Sequence, residues 1–118
     1  DSVSVAIGKL QKQITDLSGS FRYSVNPQTD TTYEVQGSDV NQYGNVTIKC
    51  TNGSAIAVTL PTPTTLGASV GDSFNIRQGG EGIVTIVGAL EGNGVFTAQH
   101  ETKTLIAQAS NTWLVVGG

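Results

Sequence analysis

Between Val3 and Leu17 the residues Val3, Ile7, Leu10, Ile14 and Leu17 recur at spacings of four, three, four and three. That is the 3.5-residue period of a coiled-coil seam, with Ile7 and Ile14 at a and Val3, Leu10 and Leu17 at d. Lys9, Gln11, Lys12, Gln13 and Asp16 fall off the seam, where solvent is expected. Ser18-Gly19 closes the pattern, since glycine readily takes the left-handed conformation that ends a helix. A stripe this narrow has two uses: docking on its own domain, or pairing with copies of itself. Self-association is favoured. The seam is strictly a/d rather than the broader face of a globular helix, and Gly8 at b costs about 1 kcal/mol of helix propensity. A helix of this length is also marginal alone in water. Ile at a with Leu at d leans towards two strands, so the seam does not fix the number of copies.

After Phe21 the period changes from 3.5 to 2. "VTIKC" puts Val46, Ile48 and Cys50 on one face, and "AIAVTL" does the same with Ile56, Val58 and Leu60. Asn52-Gly53 between them predicts a type I′ hairpin, because both central residues of that turn need positive φ. The prolines of "LPTPTTLG" exclude a helix and make a stiff connection. "SFNIRQ", with Phe74 and Ile76, turns through "GGEG" into "IVTIV" as a second hairpin. "EGNGVF" is a further turn, and "TKTLIAQA" pairs with "TWLVV" through "SNT". "FRYSV" and "TTYEVQG" supply one or two strands more. Strands at this spacing predict an antiparallel β-sandwich or barrel, with Trp113 in its core. The expected organisation is a coiled-coil stalk end at 1–20 and a mostly β knob at 21–118.

Composition narrows the function. The chain has 118 residues, of which roughly 95 remain beyond the helical leader, enough for one modest core. Charged residues are 13%, about half the ordinary share, so Thr, Ser, Asn, Gln and Gly must cover the surface. This is a pattern of extracellular and virion β-proteins rather than of cytosolic enzymes. Net charge is −3 and the six basic residues are scattered, so there is no cluster to neutralise nucleic-acid phosphates. The same scarcity disfavours anionic membranes. "IVTIV" is far too short to span a bilayer, and no basic leader precedes an apolar signal segment. The chain lacks Met even at position 1, and so reads as a piece of something longer, with "TWLVVGG" a candidate natural terminus.

Chemistry-bearing residues are sparse. Cys50 is the sole cysteine and His100 the sole histidine, too few for a disulfide, a two-His zinc motif or a recognisable triad. Glu81, Glu91 and Glu101 read as solvated turn carboxylates rather than a glycosidase pair. The glycines of "RQGGEG" and "GNG" match neither a P-loop nor a dinucleotide fingerprint. "NVT" and "NGS" fit the glycosylation pattern without marking a site. No catalytic residue, metal or cofactor is expected. Arg77 with Gln78 is a candidate grip on a small anion or carboxylate at a subunit junction. Gly79, Gly80, Glu81, Glu91 and Asn93 are candidate exposed tip-loop residues.

The order "VTIKCTNGSAIAVTLP…VGDSFNIRQGGEGIVTIVG…TKTLIAQASNTWLVVGG" resembles a module that ends many tailed-bacteriophage fibre and tail proteins. The likeness covers Val46–Gly118. Joined to the heptad leader, the chain resembles the C-terminal knob of a tail needle of short-tailed enterobacterial phages. The resemblance implies a homotrimer of jelly-roll-like subunits at the distal tail of a virion. The upstream stalk would connect it to the rest of the tail, and the knob would meet the host cell envelope during attachment, penetration and genome ejection. The alternative is a receptor-binding fibre tip that recognises a surface glycan or outer-membrane protein. The portal-plugging N-terminal segment of the needles is not in this sequence.

Overall fold

A computed structural model describes residues 23–117, and the seam residues Val3, Ile7, Leu10, Ile14 and Leu17 lie outside that range. Nine strands follow in chain order: β1 (Ser24–Gln28), β2 (Thr32–Glu34), β3 (Val46–Cys50), β4 (Ile56–Thr59), β5 (Ser73–Gln78), β6 (Val84–Val87), β7 (Leu90–Glu91), β8 (Thr102–Ala109) and β9 (Thr112–Gly117). A 3₁₀ turn spans Gly37–Asp39, and one short helix, α1, spans Pro63–Leu66.

The first six strands alternate between two sheets. β1, β3 and β5 lie side by side in parallel in one sheet, and β2, β4 and β6 do the same in the other. Each odd–even pair is therefore one coil of a β-solenoid, and three coils stack. The expected antiparallel sandwich or jelly roll is not what forms. Neither "TNGS" nor "GGEG" makes a hairpin: after β3 and after β5 the chain turns a corner onto the opposite sheet, and β3 pairs in parallel with β5 and β4 with β6. The reason is visible at the corner. Neither Asn52 nor Gly53 has positive φ, so the type I′ turn that would fold β4 back on β3 is absent.

The stacking has a fixed step. Thr47 pairs with Asn75 and Ile56 with Val84, both 28 residues apart. "VTIKCTNGSAIAVTL" thus lies over "FNIRQGGEGIVTIVG", residue for residue. Glycines in the later corner make this approach possible. A Cβ on Gly80 would stand 2.7 Å from the Asn52 carbonyl oxygen, and one on Gly82 would overlap the Ser54 carbonyl.

Inward residues stack in rows between the sheets. Ile48 pairs with Ile76 and Val58 with Ile86, and all four are buried with Cys50, Ile56, Phe74 and Val84. The period-2 reading of these faces holds, because alternation depends only on the extended backbone and not on which strand is the partner.

The far end of the stack changes direction. β8 pairs antiparallel with β5 and with β9, and β7 lies parallel to β9. β8 and β9 form the hairpin expected from "SNT". Beside the other sheet, Ile86 N–H donates to the Gly94 carbonyl and Phe96 N–H to that of Val84, so residues 94–96 cover the β6 edge. Trp113 is fully buried, as expected. Its ring stands edge-on to Phe74 at 5.4 Å, and Nε1 donates to the Pro61 carbonyl at 2.8 Å. Such an aromatic pair adds about 0.5–1.5 kcal/mol beyond the area it buries.

α1 departs from expectation in an instructive way. Pro63 occupies its first turn, where the missing N–H has no helical acceptor to lose. Thr62 caps it through Oγ1, which accepts from Thr65 N–H, and Gly67 ends it at φ 71°. Proline here starts a helix instead of forbidding one.

Candidate functional site

Arg77 and Gln78 diverge. They are adjacent in β5, so the pleat sends one to each face. Arg77 points out beside Lys49, its register partner in β3, and Nη1 donates to Thr102 Oγ1 at 3.4 Å. Gln78 points in and is 1% exposed. Its Oε1 accepts from Val84 N–H at 3.1 Å and its Nε2 donates to the Gly80 carbonyl at 3.2 Å. Both ends of the amide are occupied in closing the corner between β5 and β6. Gln78 is therefore a structural residue and takes no part in an open anion grip.

The candidate loop residues divide likewise. Gly79 and Gly80 are half-buried against the preceding corner, so they are packing positions rather than an exposed tip. Glu81, Glu91 and Asn93 are exposed. Glu91 lies in β7 rather than in a turn, and its carboxylate accepts from Gln108 Nε2. Asn93 Oδ1 accepts from Val95 N–H at 3.0 Å and shapes its own loop. Glu101 is tied to Thr97 through N–H at 2.8 Å.

His100 is exposed at φ 71°, and its N–H donates to the Gln78 carbonyl at 2.6 Å. Cys50 lies in the core, where burial pushes its thiol up to about 11 and keeps it protonated. Among the described residues no group of three or more His, Cys, Asp or Glu is placed to hold a metal ion.

Two polar features were not anticipated from the sequence. The first fills the interior of the first coil. Asn26 and Gln28 take the inward positions that Ile48 and Cys50 occupy in the next coil. Asp39, in the 3₁₀ turn, is 4% exposed and accepts from Tyr33 Oη at 2.6 Å, Asn26 Nδ2 at 2.9 Å and Gln36 N–H at 2.9 Å. Gln28 Nε2 extends the network by donating to Asn26 Oδ1 at 2.8 Å. Tyr33 is pushed up to about 12 by burial first, then by its hydrogen bond to Asp39 and that residue's charge. An apolar stack must end somewhere, and here it ends in a satisfied polar plug. A shallow cleft lies beside the plug, bordered by Asp30, Thr32, Tyr33 and Gln36.

The second feature is Lys103, which the pleat of β8 turns inward to 4% exposure. Its Nζ lies 5.4 Å from the Phe96 ring centre and donates to the Gly117 carbonyl at 3.5 Å. Cation–π attraction of this kind partly replaces lost hydration. The alternation of "TKTLIAQA" was the available signal, because Lys103 shares its face with Leu105 and Ala107.

The arrangement has a polarity. Hydrogen bonds from Ser24 N–H to Asn45 and from Thr51 N–H to Gln28 point one side of β1 at β3. By alternation, Val25 and Pro27 present their backbone to the open side. Pro27 has no N–H to offer there, which suits an edge strand. Among the described residues, one end of the solenoid is thus an uncovered first coil with a polar interior, and the other is closed by β8, β9 and residues 94–96. Neither a scan against protein-family models nor a search of the curated proteins finds a match to this chain.

Proposed function

We propose that the chain is a structural virion tail protein: the trimeric distal knob of a phage tail needle, which meets the host envelope during attachment, penetration and genome ejection. The observation that carries the reading is the polarity of the solenoid. The chain enters the open first coil at Tyr23, directly after the segment bearing the heptad seam, and the opposite end is closed. That order gives a stalk, a joint and a blunt tip along one chain. Its action is geometric, and no bond is made or broken. The stalk sets the reach, and a surface rich in Thr, Asn, Gln and Gly offers donors and acceptors with little charge to drive nonspecific adhesion.

A second reading, a receptor-binding fibre tip, is favoured by the exposure of Glu81, Glu91 and Asn93. One experiment tests both. The full chain is examined by sedimentation equilibrium and then co-pelleted with enterobacterial outer-membrane vesicles and with pure phospholipid vesicles. A three-chain species retained by the former alone is expected. A single-chain species overturns the knob reading. Saturable retention abolished by Glu81→Ala, Glu91→Ala and Asn93→Ala promotes the fibre tip.

A further inference from the structure

The two outer faces of the solenoid are chemically unequal. On the six-stranded sheet the outward face carries exposed Val25 and Val116 but also the charged Lys49, Arg77 and Glu91, with Lys49 and Arg77 stacked in register. On the three-stranded sheet, the outward residues of the second and third coils are Ala55, Ala57, Thr59, Ile83, Thr85 and Val87. Ala57 pairs with Thr85 and Thr59 with Val87, and Val95 lies against Thr85 on the far side. None is ionisable. Ile83, Val87 and Val95 are 40%, 52% and 43% exposed, three of the larger apolar side chains left to solvent, gathered on one face.

We infer that this three-stranded face is where three copies of the chain meet, the proposal resting on the trimeric reading above. Twenty-two residues precede Tyr23, and their a/d pattern runs to Leu17, close to the point where the chain enters the first coil. A seam that joins copies there leaves the solenoids side by side around one axis, each able to turn one face inward. Turning the six-stranded face inward would bring three Lys49 and three Arg77 side chains together, like charges whose desolvation and mutual repulsion are unfavourable. Turning the three-stranded face inward buries mainly aliphatic side chains and threonine hydroxyls, and Ala55 and Ala57 leave room for close approach. The one carboxylate in these rows, Glu34 of β2, is paired with Thr59 in the first coil, at the margin of the patch.

The test separates this inference from the trimeric reading. Ala57→Cys and Thr102→Cys, on opposite outer faces and both exposed in the single chain, are treated with a maleimide in the full chain while Cys50 stays buried in the core. The expected result is labelling at least about tenfold slower at position 57 than at 102, with the difference lost when Ile14→Asp separates the copies. Ala57→Arg should weaken assembly in sedimentation and Thr102→Arg should not. Assembled Ala57→Cys and Thr102→Cys variants that label equally fast overturn the assignment of the face and leave the trimer standing. A wild-type chain that sediments as a single copy overturns both.

Discussion

Gly80 sits so close to Asn52 that a Cβ on the glycine would stand 2.7 Å from the Asn52 carbonyl oxygen and 2.8 Å from its amide nitrogen. One corner of the solenoid rests on the corner of the coil before it. Glycine serves here by having no side chain, not by adopting positive φ. Gly80→Ala should therefore destabilise the domain by about 1–3 kcal/mol through overpacking. A Cβ on Gly53 would meet nothing within 4 Å, and Gly53 has no positive φ. Gly53→Ala should be neutral or stabilising by up to about 1 kcal/mol. Urea midpoints of the two variants check this, and a large loss at Gly53 would restore the hairpin geometry.

The plug of the first coil makes a prediction about alkaline pH. Tyr33 is raised from 10 to about 12 and Cys50 from 9 to about 11. In both, the folded state favours the protonated form more than the unfolded chain does. Their contribution is complete below pH 9 and is lost as pH rises, first through Cys50 between 9 and 11, then through Tyr33 between 10 and 12. Thermal melts above pH 9 should fall steadily, and Cys50→Ala should remove the lower part of the fall.

Removing one donor from the plug should be costly at neutral pH. Tyr33→Phe leaves Asp39 Oδ2, almost fully buried, with the Gln36 N–H but without its 2.6 Å partner. The expected loss is about 1–3 kcal/mol by chemical denaturation. Asn26→Ala, which removes both Nδ2 donations to Asp39 and Tyr33, should cost a similar amount. The double variant should be less than additive, because the two residues serve one carboxylate.

His100 is the one residue other than glycine with positive φ among those described. Left-handed backbone costs an L-residue about 1–2 kcal/mol. The hydrogen bond it makes uses its backbone N–H, which glycine retains. His100→Gly should raise the melting temperature by a few degrees, a direction that surface glycine substitutions seldom take.

The seam supplies the last prediction. In the proposed trimer, Ile14→Asp would place a carboxylate from every copy near the axis, where burial without partners is unfavourable. Sedimentation should show smaller species. An unchanged assembly would mean that the β domains alone hold the copies together.

The sequence by itself determined which side of β3, β4 and β5 is wet. Ile48, Cys50, Ile56, Val58, Phe74 and Ile76 could be assigned to the core because alternation is a property of extended backbone, independent of partners. The terminal hairpin of β8 and β9 and the burial of Trp113 were legible for similarly local reasons. Partner choice was not. Whether "TNGS" folds β4 back onto β3 or carries it to the opposite sheet depends on φ at Asn52 and Gly53, and that is set by contact with a corner 28 residues later. The match between "VTIKCTNGSAIAVTL" and "FNIRQGGEGIVTIVG" was the one available clue, a pattern of faces and of Lys49 over Arg77 more than of identities. The candidate site followed the same division. The exposure of Glu81, Glu91 and Asn93 was readable from their turn-rich surroundings. Only the tertiary structure tied the Gln78 amide into the corner before β6, pressed Gly79 and Gly80 against the neighbouring coil and gathered Asn26, Tyr33 and Asp39 into one network. Long-range stacking decides those positions, and no local window of the chain contains it.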